Sequence, residues 1–137
     1  MENLSGQVAA GSVVKGRGLT LAAYNGSERE TDRSSRVTYF LATVTLAAND
    51  IAERGPIRVY VRVKDPNGII LLNNNSTDFT CNGETMTASA SREVDYEGED
   101  LVVGIYVKDM SDLGKGIYTV EAYTEKAALG RAELMLR

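Results

Sequence analysis

The stretch "IRVYVRVKDPNGIILL", residues 57–72, decides the fold. Ile57, Val59, Val61 and Val63 alternate strictly with Arg58, Tyr60, Arg62 and Lys64. A period of two is that of a strand with one buried side, because successive side chains leave opposite faces of the backbone. The β-branched residues at the inner positions suit a pleated, half-buried surface. Asp65-Pro66-Asn67-Gly68 then combines a fixed φ at proline with an Asn-Gly pair that tolerates positive φ, so a hairpin into residues 69–72 is expected. One face of this strand belongs to a core, and the other is basic and aromatic.

The same pattern extends in both directions. In "VTYFLATVTLA", residues 37–47, Phe40, Ala42, Val44 and Leu46 share a face. Tyr39 and Leu41 put apolar surface on the opposite side, which calls for cover by a neighbouring element or a partner. Leu101, Val103, Ile105 and Val107 line another strand. Tyr118, Val120 and Ala122, then Ala132, Leu134 and Leu136, line the last two. Near the start, Val13, Leu19, Leu21 and Ala23 are in register, with Gly16 and Gly18 interrupting as at a bulge or bend. Between residues 79 and 96 the strands are weak and polar around an Asn82-Gly83 turn and read as edges. No stretch has helical periodicity. Short strands at this spacing predict an all-β, immunoglobulin-like β-sandwich of seven to nine mainly antiparallel strands. Its single domain should span residues 12–137, after a flexible lead-in over residues 1–11.

Composition narrows the chemistry. The chain has 137 residues, 43% hydrophobic and 25% charged, enough for one packed core. Its net charge of -4, with Lys and Arg scattered among acids, offers no basic stripe for phosphates, so no nucleic-acid partner is expected. No apolar run approaches the roughly 18 residues of a membrane span, so this chain should not insert directly into a bilayer. There is no histidine, which removes Ser-His-Asp and Cys-His nucleophile activation and His-containing zinc sites. The single cysteine, Cys81, excludes an internal disulfide.

The remaining motifs are weak as chemistry. "SVVK", from Ser12 to Lys15, has the S-x-x-K spacing of serine acyltransferases, but it needs a helix, and two valines followed by glycine point to a strand. Glu93, Asp95, Glu97, Glu99 and Asp100 gather hard oxygen donors without the spacing of a calcium loop, and read as a solvated turn. No catalytic residue, metal or cofactor is expected. The outward row Arg58, Tyr60, Arg62 and Lys64 is the candidate partner-binding surface, because Arg and Tyr bury much area while keeping a polar end. Tyr106 would extend it if its strand lay alongside. Sugar platforms need exposed aromatic faces, and here seven tyrosines stand in a chain without tryptophan.

Four segments together carry a resemblance: "KGRGLTLAAYNGSERETDRSSRV", "IAERGPIRVYVRVKDPNGIIL", "YEGEDLVVGIYV" and "GKGIYTVEAYTEKAALGRAELML". They resemble the C-terminal β domain of uncharacterised Bacteroidetes proteins in which a membrane helix and a coiled coil precede that domain. The likeness covers the chain from about Lys15 to the C-terminus. It departs at Glu125-Lys126, where the family pattern has a glycine-containing turn, and at Leu134, where it has an aromatic. Without that glycine a tight type I′ turn is not expected. The resemblance implies a piece of a longer, membrane-anchored protein of the cell envelope, with the domain on the periplasmic side. Oligomerisation would run through an upstream coiled coil absent here. It transfers no activity. The expected function is a non-catalytic protein-interaction or structural module with an unknown protein partner, the alternative being a carbohydrate-binding or calcium-assisted adhesive domain.

Overall fold

The computed structural model describes residues 13–72, 76–108 and 113–137. The expected lead-in over residues 1–11, and Ser12 of the S-x-x-K motif, lie outside the described residues. Nine strands follow in chain order: β1 (Gly16–Tyr24), β2 (Tyr39–Leu46), β3 (Gly55–Lys64), β4 (Thr77–Cys81), β5 (Glu84–Ala88), β6 (Ala90–Tyr96), β7 (Leu101–Val107), β8 (Gly116–Tyr123) and β9 (Ala128–Leu136). They form a three-stranded sheet β1-β2-β7, a four-stranded sheet β6-β3-β8-β9, and a separate β4-β5 hairpin. Every strand pair is antiparallel. The architecture is therefore the expected immunoglobulin-like sandwich, with the chain crossing between sheets from β2 to β3, β6 to β7 and β7 to β8.

The core lies where the alternation places it. Phe40, Ala42, Val44 and Leu46 of β2, with Val103, Ile105 and Val107 of β7, face Val59, Val61 and Val63 of β3 and Tyr118, Val120 and Ala122 of β8. The Tyr118 hydroxyl donates to the Gly114 carbonyl four residues upstream at 2.7 Å. This is the tyrosine corner seen where an immunoglobulin-like chain enters the corresponding strand. From β6, the Tyr96 hydroxyl reaches across to the Ala47 carbonyl at 2.7 Å, tying the end of β2 to the other sheet.

Local departures have local causes. The β1–β2 register shifts between Arg17 and Thr20 around Gly18, whose φ is +66°, so the anticipated bulge is present. It puts Val14, not Val13, into the core ahead of the strand. A second shift, between Ala122 and Tyr123 in the β8–β9 ladder, turns Leu129 inward. Leu129 meets β1 at Gly16, where a Cβ would stand 2.5 Å from that of Leu129, so only glycine permits the approach. At the β8–β9 turn, Glu125 and Lys126 avoid positive φ, so the turn is not type I′. The Thr124 hydroxyl closes it instead, accepting from the Lys126 and Ala127 N–H groups at 3.3 and 3.2 Å.

The turn after β3 forms as read. Asp65 Oδ1 accepts from the N–H groups of Asn67 and Ile69, each at 2.9 Å. The return segment is shorter than expected, making a single bridge from Ile70 to Lys64 in place of a strand. The weak segments around Asn82-Gly83 form the β4–β5 hairpin, with positive φ at both turn residues. It is not an edge of either main sheet, whereas β6, the last part of that stretch, is the expected edge of the four-stranded sheet. The hairpin folds back over the outer face of the four-stranded sheet, with Tyr60, Phe79, Cys81 and Ala88 as a second small core.

Candidate functional site

Three places on the sandwich have the residue types of a site. The first is the row Arg58, Tyr60, Arg62 and Lys64 on the outer face of β3. The β4–β5 hairpin lies on it, and Tyr60 is only 7% exposed. Its ring stacks on Phe79 at 4.2 Å, with 6° between planes. Arg62 Nε donates to the Thr87 carbonyl of the hairpin at 2.9 Å, while its Nη1 lies 3.4 Å from Glu121 Oε1. Lys64 Nζ shares that carboxylate at 3.7 Å, and the Tyr123 hydroxyl donates to it at 3.2 Å. Only Arg58 remains exposed, with Nη1 donating to Ser91 Oγ at 3.2 Å. The row is thus not the open surface its parity suggests. Parity tells which side a residue leaves, and a segment inserted between β3 and β6 decides what covers that side. Burial, then the Glu125 carboxylate, pushes the Tyr60 phenol above its ordinary range.

Tyr106 cannot extend that row, because β7 belongs to the other sheet. It joins a second site instead, the outer face of β1-β2-β7. Tyr24 lies opposite Tyr39 in the ladder, and their rings stack at 5.2 Å with 6° between planes. Tyr106 meets Tyr39 edge-on at 5.6 Å, and Lys108 Nζ stands 5.6 Å from the Tyr106 ring. Beside them Leu41 is half-buried, while Val102 and Tyr106 are 66% and 50% exposed, so no described element covers this face. Partial burial, then the Glu28 charge, raises the Tyr39 phenol. The signal for this face was in the sequence, in the apolar Tyr39 and Leu41 on the solvent side of β2. Which tyrosines cluster there depends on cross-strand register.

The third place is a cleft of about 260 Å³ where the first residues of β3 pass the β8–β9 turn. Its floor is Val14, Pro56 and Ile57, and Arg54, Arg58 and Lys126 stand around it. Glu53 and Glu125 share the lining.

Asp100 accepts from the Ala48 N–H at 2.8 Å and pairs with Arg17, while Asp95, Glu97 and Glu99 lie beside Arg54. Among the described residues no three acidic or thiol groups converge as metal ligands would. Burial, then Glu84, raises the thiol of Cys81, which favours the protonated form rather than a nucleophilic thiolate. Among the described residues no helix is long and apolar enough to cross a membrane.

Residues 17–137 match the family model described as Domain of unknown function (DUF8428). The chain belongs to this family. Within DUF8428 the matched span runs from the second residue of β1 to the C-terminal Arg137, so the family's unit includes both sheets and the hairpin that covers β3. No curated protein matches the chain.

Proposed function

We propose that this domain is a non-catalytic protein-interaction module that works through the tyrosine face of β1-β2-β7. The observation that carries the reading is a cluster of the half-exposed Tyr106 with the partly buried Tyr39 and Tyr24, on a face that also leaves Val102 exposed further along β7 and has no described cover. Tyrosine dominates binding hot spots because its ring desolvates readily and its hydroxyl still finds a partner. The ring arrangement favours protein over sugar. A sugar stacks on an open aromatic face, whereas Tyr24 and Tyr39 cover each other and Tyr39 receives Tyr106 on its flank. We place the module in a membrane-anchored cell-envelope protein of the Bacteroidetes type, on the strength of the sequence resemblance.

The test compares the wild type with Tyr39→Ser and Tyr106→Ser for binding to envelope proteins of the source organism, read by cross-linking and quantitative mass spectrometry. Loss of a central tyrosine anchor should weaken a specific complex by about 2 kcal/mol, roughly thirtyfold. The domain itself should stay folded. Partner recovery unchanged by both substitutions would refute the assignment, and a glycan-array signal lost in the same variants would move it to the carbohydrate reading.

A further inference from the structure

Strand β3 is paired on both sides for only part of its length. β6 runs alongside Gly55 to Val61, whereas β8 joins only at Tyr60, opposite Tyr123, and continues to Lys64. The Val61 carbonyl accepts from the Ser89 N–H at 2.8 Å, and the Val63 N–H donates to the Ser89 hydroxyl at 3.0 Å. Odd-numbered residues of β3 therefore direct their main-chain groups towards β6. Main-chain direction alternates along a strand, so those of Arg58 and Tyr60 point the other way, towards β8. Tyr60 finds its ladder partner there. Arg58 does not, because β8 has already turned.

The turn has little left to offer. The Thr124 N–H donates to the Ala127 carbonyl at 2.8 Å, and the Thr124 hydroxyl holds the next two N–H groups of the turn. The Glu125 carbonyl accepts from Asn82 N–H of the hairpin tip at 3.2 Å. Among the described residues, the Arg58 N–H and carbonyl thus have no strand partner and open into the cleft. Arg54, Arg58 and Lys126 surround it, and none makes an ion pair with a described carboxylate. Two acids share the lining, and Asp95, Glu97 and Glu99 also lie beside Arg54. Glu125 stands beside the Tyr60 hydroxyl, and Glu53 lies on the β2–β3 loop.

We propose that this cleft is a peptide-binding site that takes an extended acidic segment of a partner protein. Its main chain adds to β3 at Arg58, and its carboxylate meets Arg54 and Lys126. The Arg58 donor and acceptor supply the strand-addition bonds, the cations supply charge selection, and Val14, Pro56 and Ile57 supply an apolar floor for the alternate side chain. The cleft is separate from the tyrosine face, so either assignment can fail without the other.

The experiment titrates the ¹⁵N-labelled domain with the acetylated, amidated pentapeptide Val-Glu-Val-Asp-Val. Controls are its Val-Lys-Val-Lys-Val analogue, a version N-methylated on the central residue, and succinate. The expected result is saturable amide shifts at Arg58 and its β3 neighbours with the acidic peptide alone. Binding should weaken at least tenfold in Arg54→Ala/Lys126→Ala, whose remaining spectrum stays unchanged because both side chains are exposed. No saturable shift, or shifts spread over distant cations such as Arg17 and Arg137, would overturn the site. Equal response to succinate or to the N-methylated peptide would overturn strand addition.

Discussion

Removing the Phe79 ring should detach the β4–β5 hairpin while the sandwich beneath survives. Phe79 lies between Tyr60, stacked at 4.2 Å, and Tyr123, at 5.8 Å with the planes 47° apart. Truncating a buried phenylalanine to alanine costs about 3–5 kcal/mol when the surroundings hold their places. The other anchors of the hairpin are modest. They include the Arg62–Thr87 hydrogen bond, worth about 1.5–3 kcal/mol with its charged donor, the Asn82–Glu125 bond, worth about 1 kcal/mol net, and the small side chains of Cys81 and Ala88. A two-stranded hairpin has little stability alone, so Phe79→Ala should leave less binding than the hairpin needs. The global loss then stops at the hairpin's docking free energy, and adding Cys81→Ala should cost almost nothing more. Hydrogen exchange should show amides of residues 77–88 losing protection, while those of β2, β7 and β8 keep it. The same variant should expose Tyr60 and the Arg62–Glu121 pair. Additive losses in the double variant, together with uniform loss of protection, would refute this reasoning and make the hairpin part of one cooperative core.

Two further outcomes follow from buried polar groups. Ser89 is fully buried and its hydroxyl serves the Val63 N–H just before β6 begins, so Ser89→Ala should destabilise by about 1–3 kcal/mol in urea unfolding; a loss below about 0.5 kcal/mol would contradict it. Burial first, then the charges of Glu125, Asp65 and Glu121 respectively, raises the phenols of Tyr60, Tyr118 and Tyr123 above their ordinary 10.0. A raised folded value means the unfolded chain gives up its proton first, so this stabilisation is whole below about pH 10 and is lost as pH climbs through the raised values. Circular dichroism and phenolate absorbance should therefore change together on alkaline titration, and ionisation of all the tyrosines near pH 10 with the fold intact would count against it.

Much of the scaffold was legible from alternation alone, because a strand with one buried side has no other way to order its residues. The inner rows of β2, β3, β7 and β8 follow directly from the period of two, and Asp65 to Gly68 and Asn82-Gly83 mark turns through backbone freedom that few other residues possess. Leu129 escaped that reading because a bulge reverses parity beyond it. Tyr118 was legible as core, yet its hydroxyl bond to Gly114 depends on how the chain rounds the corner between sheets.

The candidate surfaces divide in the same way. That Tyr60 leaves the core side of β3, and that Tyr39 and Leu41 leave the core side of β2, is written in the sequence. That the hairpin closes over one face while no described element covers the other is a matter of packing between segments far apart in the chain. So is the failure of β8 to reach Arg58, since it depends on where a strand stops relative to its neighbour. Local alternation determines which side each residue takes; only the tertiary structure determines whether that side meets protein or solvent.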